Sequence, residues 1–299
     1  MRRLYDESTS PVQMIINPVF TNKELESHLE DFFRLYFSSP ISDNLGGMHA
    51  NHAFALYVVL KKFSPALVVE SGVWKGFSTW LIESTLPNAK IVSIDPEPKT
   101  RQYTSFRADY KIEDFAEIDW TAYDIEDSLC FFDDHQNAYQ RLQDMKWHGF
   151  KRAIFEDNFP FGQGDCYSLR HVLSRNGHPT RQMSEQYKPK SMRRLMYLLE
   201  EKILYRNYSR QSIVRKANNA DRSTMLKNIS VYQEMSPICI NSAHDWGGSW
   251  DDPSYSLSAT PLFPSKAELL ENINSLSYLR DDELSIELFY GYICYIELR

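Results

Sequence analysis

The chain has 299 residues, 42% hydrophobic and 24% charged, with a formal net charge of −7. That is enough apolar material for a large core, and the charge content is too ordinary for wholesale disorder. No apolar run approaches the roughly 20 residues of a membrane-spanning helix, and Met1-Arg2-Arg3-Leu4-Tyr5 has no apolar stretch behind it of the kind a secretory leader has.

Taken in chain order, Thr21-Asn22-Lys23-Glu24 forms a capping box, and Leu25, Leu29, Phe32, Phe33 and Tyr36 follow at helical spacing, which predicts an amphipathic helix ending before Ser39-Pro40. A polar loop, Ser42 to Met48, contains Gly46 and Gly47. A second helix is expected from about Asn51 to Phe63, stopped by Ser64-Pro65. Asn44, Gly46, Gly47, Asn51 and His52 read either as a loop with a helix cap or as a segment folding over a ligand, and His52 either as a satisfied buried histidine or as a catalytic one.

The pattern then changes to short continuous apolar runs that end in acids: 66–70 at Glu70, 91–95 at Asp95, 129–134 at Asp133-Asp134, and 153–157 at Glu156-Asp157. Runs without polar alternation suit strands of a parallel sheet covered on both faces. Helical stretches near Ser78–Leu86 and Asn137–His148 alternate with them. The expected fold is α/β, a Rossmann-like, doubly wound and mostly parallel sheet with helices on both faces. Ligands bind beyond the carboxyl ends of such strands, so four acid-ended strands put a ring of acids on one edge.

Later segments give a helix over Ser191–Tyr205, strands over Ile229–Glu234 and Leu288–Leu298, and a helix over Ser265–Leu276. Residues 1–65 read as a helical extension packed on a core of residues 66–299 that carries a helical insertion at about 175–227. Between Arg170 and Lys227 stand 14 Lys or Arg against 4 Asp or Glu. This is either a solvated helical face or a positive surface for an anionic molecule. Nothing resembles an RNA- or DNA-reading module, so nucleic acid is disfavoured as a partner. Cys130, Cys166, Cys239 and Cys294 form no CxxC pair and read as reduced, buried thiols of a cytoplasmic protein.

The segment Val69-Glu70-Ser71-Gly72-Val73-Trp74-Lys75-Gly76-Phe77-Ser78-Thr79 is a strand, a glycine turn and a helix start. Gly72 permits a tight turn and close backbone approach, Gly76 close packing, and Ser78 or Thr79 a helix cap whose amides favour an anion. The spacing is E-x-G-x-x-x-G, not the G-x-G-x-x-G of nicotinamide-binding folds. About twenty residues on, Asp95 stands where an acid can hold two ribose hydroxyls.

On these residues the chain resembles the class I methyltransferases, most specifically the catechol O-methyltransferase type, over roughly residues 50 to 160. The resemblance implies that Glu70, Ser71, Gly72, Trp74, Gly76, Ser78 and Thr79 surround the methionine part of S-adenosylmethionine. It also implies that Asp95 binds the ribose and that Asp114 or Phe115 lies near the adenine. Phe132-Asp133-Asp134-His135 and Phe155-Glu156-Asp157-Asn158 end adjacent strands in oxygen donors that can converge on one hard cation such as Mg2+. The chain is similar there to metal-dependent catechol enzymes, which implies Asp134, Asp157 and Asn158 as ligands. Antibiotic-sugar methyltransferases and cephalosporin-hydroxylase-like proteins add Glu156. Where the catechol enzymes keep a catalytic lysine this chain has Asn137, so the base passes to His135 or Asp133, or to no dedicated residue if the cation acidifies the hydroxyl.

The expectation is a metal-assisted O-methyltransferase acting on a hydroxylated small molecule or a sugar, the acceptor neutral or anionic and the protein monomeric or a homodimer. The alternatives are a hydroxylase-like relative, a non-catalytic cofactor-binding relative, and a nicotinamide-dependent dehydrogenase. Trp246 and Trp250, and the glycines of Phe161–Ser168, are further candidates for contact with the acceptor.

Overall fold

The computed structural model describes residues 16–44, 46–160, 166–174, 219–240, 259–277 and 292–299, with positions 279, 284 and 288. Strands β1 (Leu67–Ser71), β2 (Lys90–Ile94), β3 (Ala108–Lys111), β4 (Ser128–Phe132), β5 (Arg152–Phe155), β6 (Ile229–Glu234) and β7 (Cys294–Leu298) form one sheet in the order β3-β2-β1-β4-β5-β7-β6. The first five run parallel, and β7 is antiparallel to both β5 and β6. The described helices are α1 (Asn22–Glu26), α2 (Leu29–Tyr36), α3 (Ala50–Phe63), α4 (Phe77–Thr85), α5 (Ala138–His148), α6 (Leu169–Leu173), α7 (Asn219–Asn228) and α8 (Lys266–Asn272). This is the expected Rossmann-like α/β architecture. Among the described residues no helix is long and apolar enough to cross a membrane.

The apolar strands are explained by two core layers. Val68, Leu129, Phe131 and Ile154 pack on one face with Phe32, Phe54, Leu56 and Leu81 from α2, α3 and α4. Val69, Cys130, Phe132, Ala153 and Phe155 pack on the other with Leu142 and Met145 of α5 and Leu169 and Val172 of α6. Successive strand residues point to opposite faces and each face is dry, so beyond the entry residues Ser128 and Arg152 no polar position survives along β1, β4 or β5 until their tips. All four cysteines are buried and unpaired.

Three boundaries differ from expectation. The first helix divides into α1 and α2: Ser27 Oγ donates to the Glu24 carbonyl at 2.7 Å and the His28 amide to the Leu25 carbonyl, closing a tight turn. Thr21 still caps α1 through the Glu24 amide. The last strand begins at Cys294 rather than Leu288, because Tyr292 has φ +73°, incompatible with extended backbone. Ser265 caps α8 as expected, but the helix ends at Asn272 and a 3-10 turn follows at Asn274–Leu276. The helix expected at Ser191–Tyr205 with the rest of residues 175–218, the Phe161–Asp165 glycine segment, and Trp246 with Trp250 lie outside the described residues.

Asn51 has a fixed structural role. Buried on α3, its amide donates to the carbonyls of Cys239 at 2.9 Å and Leu288 at 2.7 Å, and its Oδ1 accepts from the Ile238 amide at 2.7 Å. One side chain thus satisfies three backbone groups from segments 187 to 237 residues away in sequence. Asn51→Ala is expected to cost about 3 kcal/mol or more, since three buried partners lose their hydrogen bonds. Chemical denaturation of the two proteins measures this, and a loss under 1 kcal/mol would contradict it.

Candidate active site

From β1 the chain winds outward through β2 to β3, then returns to the other side of β1 as β4. The switch point is therefore the β1–β4 boundary, where open α/β sheets bind ligands beyond the strand tips. A cleft of about 830 Å³ lies there, running from the loop after β3 to the tip of β5.

The glycine turn forms the middle of its floor. Gly72 has φ +96°, and a Cβ there would stand 1.9 Å from the Asp133 carbonyl oxygen. Gly76 has φ +91° and is the N-cap of α4; a Cβ on it would meet the Tyr103 carbonyl at 2.4 Å. The helix accordingly starts without the expected side-chain cap from Ser78 or Thr79. Both hydroxyls turn instead to Glu70, as does Ser93, with Thr79 Oγ1 at 2.6 Å and Ser93 Oγ at 2.7 Å from Oε2. Glu70 is fully buried and does not line the cleft, a correction to the ring of acids. Burial pushes its carboxyl upward against those hydrogen bonds, and its Oε1 is a buried oxygen without a hydrogen bond. Ser71, Gly72 and Trp74 do line the cleft. Trp74 sits at φ +45°, a costly conformation for a bulky residue, with its ring against Gly46 and Gly47 and under the Lys75 ammonium at 4.4 Å.

At the β2–β3 end Asp95 lines the cleft, its Oδ2 accepting from Arg101 at 3.0 Å and its Oδ1 from the Glu97 amide at 3.0 Å. Asp114 also lines it. Phe115 does not: it has no exposure and packs against Trp120, Phe132 and Phe150 in the core below. Asp114 is gripped by Arg141 of α5 through two hydrogen bonds of 2.8 and 2.6 Å, and the same guanidinium donates through Nε to Asp134 at 2.9 Å. Burial disfavours the Arg141 charge, but Asp134 and Asp114 outweigh it and push the pKa further up. Asp134 Oδ2 also accepts from Ser71 Oγ at 2.6 Å.

At the β4–β5 end Asp133, His135 and Asp157 bring one ligand atom each within 4.8 Å of one another. His135 Nδ1 stands 3.2 Å from Asp157 Oδ2, a buried oxygen without a hydrogen bond. Burial and then the neighbouring Glu156 push Asp133 and Asp157 well above the usual carboxylate range. Burial acts on Glu156 too, but the His52 ring hydrogen-bonded to Glu156 Oε1 outweighs it and holds that acid low. Two expected ligands are committed elsewhere. Asn158 is fully buried, its amide donating to Tyr232 Oη at 2.9 Å and accepting from the Arg170 amide at 3.0 Å. Asp134 is taken by Ser71 and Arg141. The donor set this structure brings together is Asp133, Asp157 and His135, with Glu156 beside them. Asn137 is the N-cap of α5, accepting from the Gln140 amide at 3.0 Å, so the position where the catechol enzymes keep lysine serves helix initiation here.

Sequence reasoning missed Arg141. The available signal was a charge within the buried stripe of α5, among Ala138, Leu142 and Met145.

No family model and no curated protein matches the chain. Among solved structures, it is similar to CmcI with magnesium and S-adenosylmethionine (20% identity, 36% of this chain and 53% of that chain, TM-score 0.30). It is also similar to the Podospora anserina methyltransferase PaMTH1 bound to S-adenosylhomocysteine (14%, 48% and 65%, TM-score 0.32). The third is the plantazolicin methyltransferase BpumL in complex with a triazolic desmethylPZN analog and S-adenosylhomocysteine (13%, 93% and 97%, TM-score 0.36). The match spans less than two thirds of the first two chains.

Gly72→Ala is expected to be far more damaging than the control Gly149→Ala. Both glycines have positive φ, near +95°, but a Cβ on Gly149 meets only Ile125 Cδ1 at 3.5 Å. The control should cost about 1–2 kcal/mol of left-handed strain, whereas Gly72→Ala must also separate β1 from β4. Equal melting temperatures for the two variants would contradict this.

Proposed function

We propose that the protein is an S-adenosylmethionine-dependent O-methyltransferase, assisted by a divalent cation with Mg2+ first in line, acting on a hydroxylated small molecule or a sugar. The observation that carries it is the joining of two chemically different ends in one cleft across the switch point. Asp95 stands at the tip of β2, in reach of a ribose, and half-buried Asp133 with buried Asp157 and exposed His135 stands at the tips of β4 and β5.

The donor chemistry fits a cation: carboxylates that burial and mutual repulsion push upward, one of them with an oxygen lacking a hydrogen bond, are relieved by a positive charge. The cofactor and cation supply, when bound, an electrophilic methyl group and a Lewis acid that acidifies the acceptor hydroxyl. The chain supplies position. Asp95 and the Ser71–Trp74 turn hold the cofactor, and the acids at the β4 and β5 tips orient the acceptor oxygen for in-line displacement. His135 and Asp133 are the groups in reach of the acceptor proton; His135 is exposed and can pass it to solvent, while Asp133 is half-buried. Among the described residues the cleft is lined by eight carboxylates and a single arginine, which favours a neutral polyhydroxylated acceptor over an anionic one.

Titrating the protein with S-adenosylmethionine by calorimetry, with and without Mg2+, tests the cofactor, and labelled-methyl transfer to a panel of catechols, polyols and sugars tests the activity. Absence of cofactor binding in both conditions would refute the proposal. Asp133→Asn and Asp157→Asn are expected to abolish the Mg2+ dependence of transfer with cofactor affinity within about threefold of wild type. Asp134→Asn is expected to weaken cofactor binding roughly tenfold and to keep the Mg2+ dependence, because its carboxylate serves Ser71 and Arg141. The reverse pattern would restore Asp134 as the cation ligand.

A further inference from the structure

Arg141 is held by carboxylates from two strand ends. The side chain rises from α5 beneath the cleft, 7% exposed, with its guanidinium 5.9 Å from the ring centroid of Phe132 and 6.0 Å from that of Phe115. Its two terminal nitrogens take both oxygens of Asp114 and its Nε takes Asp134. The Ala116 amide donates to Asp114 Oδ1 at 3.0 Å and fixes the carboxylate from the loop side. Burying a guanidinium is costly, and partly burying two carboxylates beside it repays that cost only with good geometry. Yet Asp114 is not sealed away: its side chain is 23% exposed and lines the cleft next to Ile112 and Glu113.

We propose that Arg141 sets base selectivity at the nucleoside end of the cleft: by clamping Asp114 it presents an acceptor-only carboxylate to the 6-amino group of adenine and rejects a 6-oxo purine. This rests on the cofactor proposal above. Asp95 at the tip of β2 is the ribose acid, and Asp114 follows β3, the next strand outward, so a base attached to that ribose comes to lie over Ile112 and Asp114. Arginine is permanently charged, and a carboxylate in a two-pronged pair with it offers oxygens that accept and no proton to donate. The 6-amino group of adenine donates, whereas the 6-oxo group of hypoxanthine accepts and would face the carboxylate oxygen to oxygen. A site built around one hydrogen bond discriminates strongly against the analogue that cannot make it. Arg141 touches neither base nor methyl group here; it is a positioning residue that acts through Asp114.

The second carboxylate extends the consequence. Asp134 accepts from Ser71 Oγ as well as from Arg141, so one cation links the loop after β3, the tip of β4 and the turn after β1. Loss of the fork should therefore alter the base end without touching the cation-binding acids.

The test is calorimetric titration of wild type, Arg141→Met, Arg141→Lys and Asp114→Asn with S-adenosylhomocysteine and with its hypoxanthine analogue, at fixed pH and salt. The readout is the ratio of the two dissociation constants, which general loosening of the fold would leave unchanged. Wild type is expected to favour adenine by roughly tenfold to hundredfold, the worth of one charge-assisted hydrogen bond. In Arg141→Met the ratio is expected to fall to within about threefold of unity, with both ligands still bound. Arg141→Lys, which keeps the charge without the fork, is expected to restore part of it. Should Arg141→Met fail to fold, Asp114→Asn decides: an amide both donates and accepts, so the ratio should collapse there too. A wild-type ratio retained in Arg141→Met, or in Asp114→Asn, overturns the inference while leaving the cofactor proposal intact. Failure of wild type to bind S-adenosylhomocysteine at all overturns both.

Discussion

The contact on which the site depends is the approach of β1 to β4 at Gly72. The Asp133 carbonyl lies where any side chain at position 72 would begin, and the Asp133 amide donates back to the Ser71 carbonyl at 2.8 Å. The Gly72 amide in turn donates to the Ile94 carbonyl at 3.0 Å. Three strand tips are thereby fixed to one another through backbone atoms alone. Asp95, Asp133 and Asp134 are each within one or two residues of those bonds, so their spacing follows from main-chain geometry. A side chain at position 72 would push apart the two ends of the cleft that the chemistry needs together.

That rigidity makes a dense cluster of acids tolerable, and the charges around it divide their work. Asp95 is met by Arg101, Asp114 and Asp134 share Arg141, and Glu156 takes a hydrogen bond with the His52 ring. Among the described residues, Asp133 and Asp157 have the exposed imidazole of His135 as their nearby basic group, and burial together with Glu156 pushes both upward. Carboxylates held by a buried arginine or ring nitrogen of the chain keep their geometry whatever binds. The pair that is not so held is the pair whose charge state an added cation would change.

Much of this was legible in the sequence. The continuous apolar runs gave β1, β2, β4 and β5 within a residue or two, since burial on both faces leaves that signature and little else does. The glycine turn and Asp95 do line one cleft, as the spacing suggested. Pairing the acids with their roles was harder. Aligning on the dipeptide Asp134-His135 picks Asp134 as cation ligand, but side chains alternate between the faces of a strand, and a slip of one residue exchanges them. The structure puts Asp133 with Asp157 and turns Asp134 toward Arg141. Asn158 looked like a ligand because it follows Asp157, yet its amide is enclosed by Tyr232 and Arg170, partners brought by β6 and α6. Such partners are invisible without the tertiary fold. So is the reversal of β7, whose residues in a doubly covered sheet carry no mark of direction, and which separates this sheet from the six-stranded, dinucleotide-binding arrangement.

The loop before α3 and α3 itself also belong to the site. Gly46, Gly47, Met48, His49 and His52 all line the cleft, and they reach it by two routes. The loop before α3 rests its glycines on the Trp74 ring, while Lys75 covers that ring and donates to the Asp43 carbonyl at 2.7 Å. On α3 itself, His52 reaches across to Glu156 at the tip of β5. The positive φ of Trp74 aims the indole at that loop, and the positive φ of His135 marks the opposite end of the cleft. Strain of this kind persists only where surrounding contacts hold it. At Trp74 the contacts come from Gly46 and Gly47, with Lys75 tied to Asp43, so the loop before α3 and the glycine turn hold each other in place. The wall over this end of the cleft is therefore set before the first strand of the sheet begins.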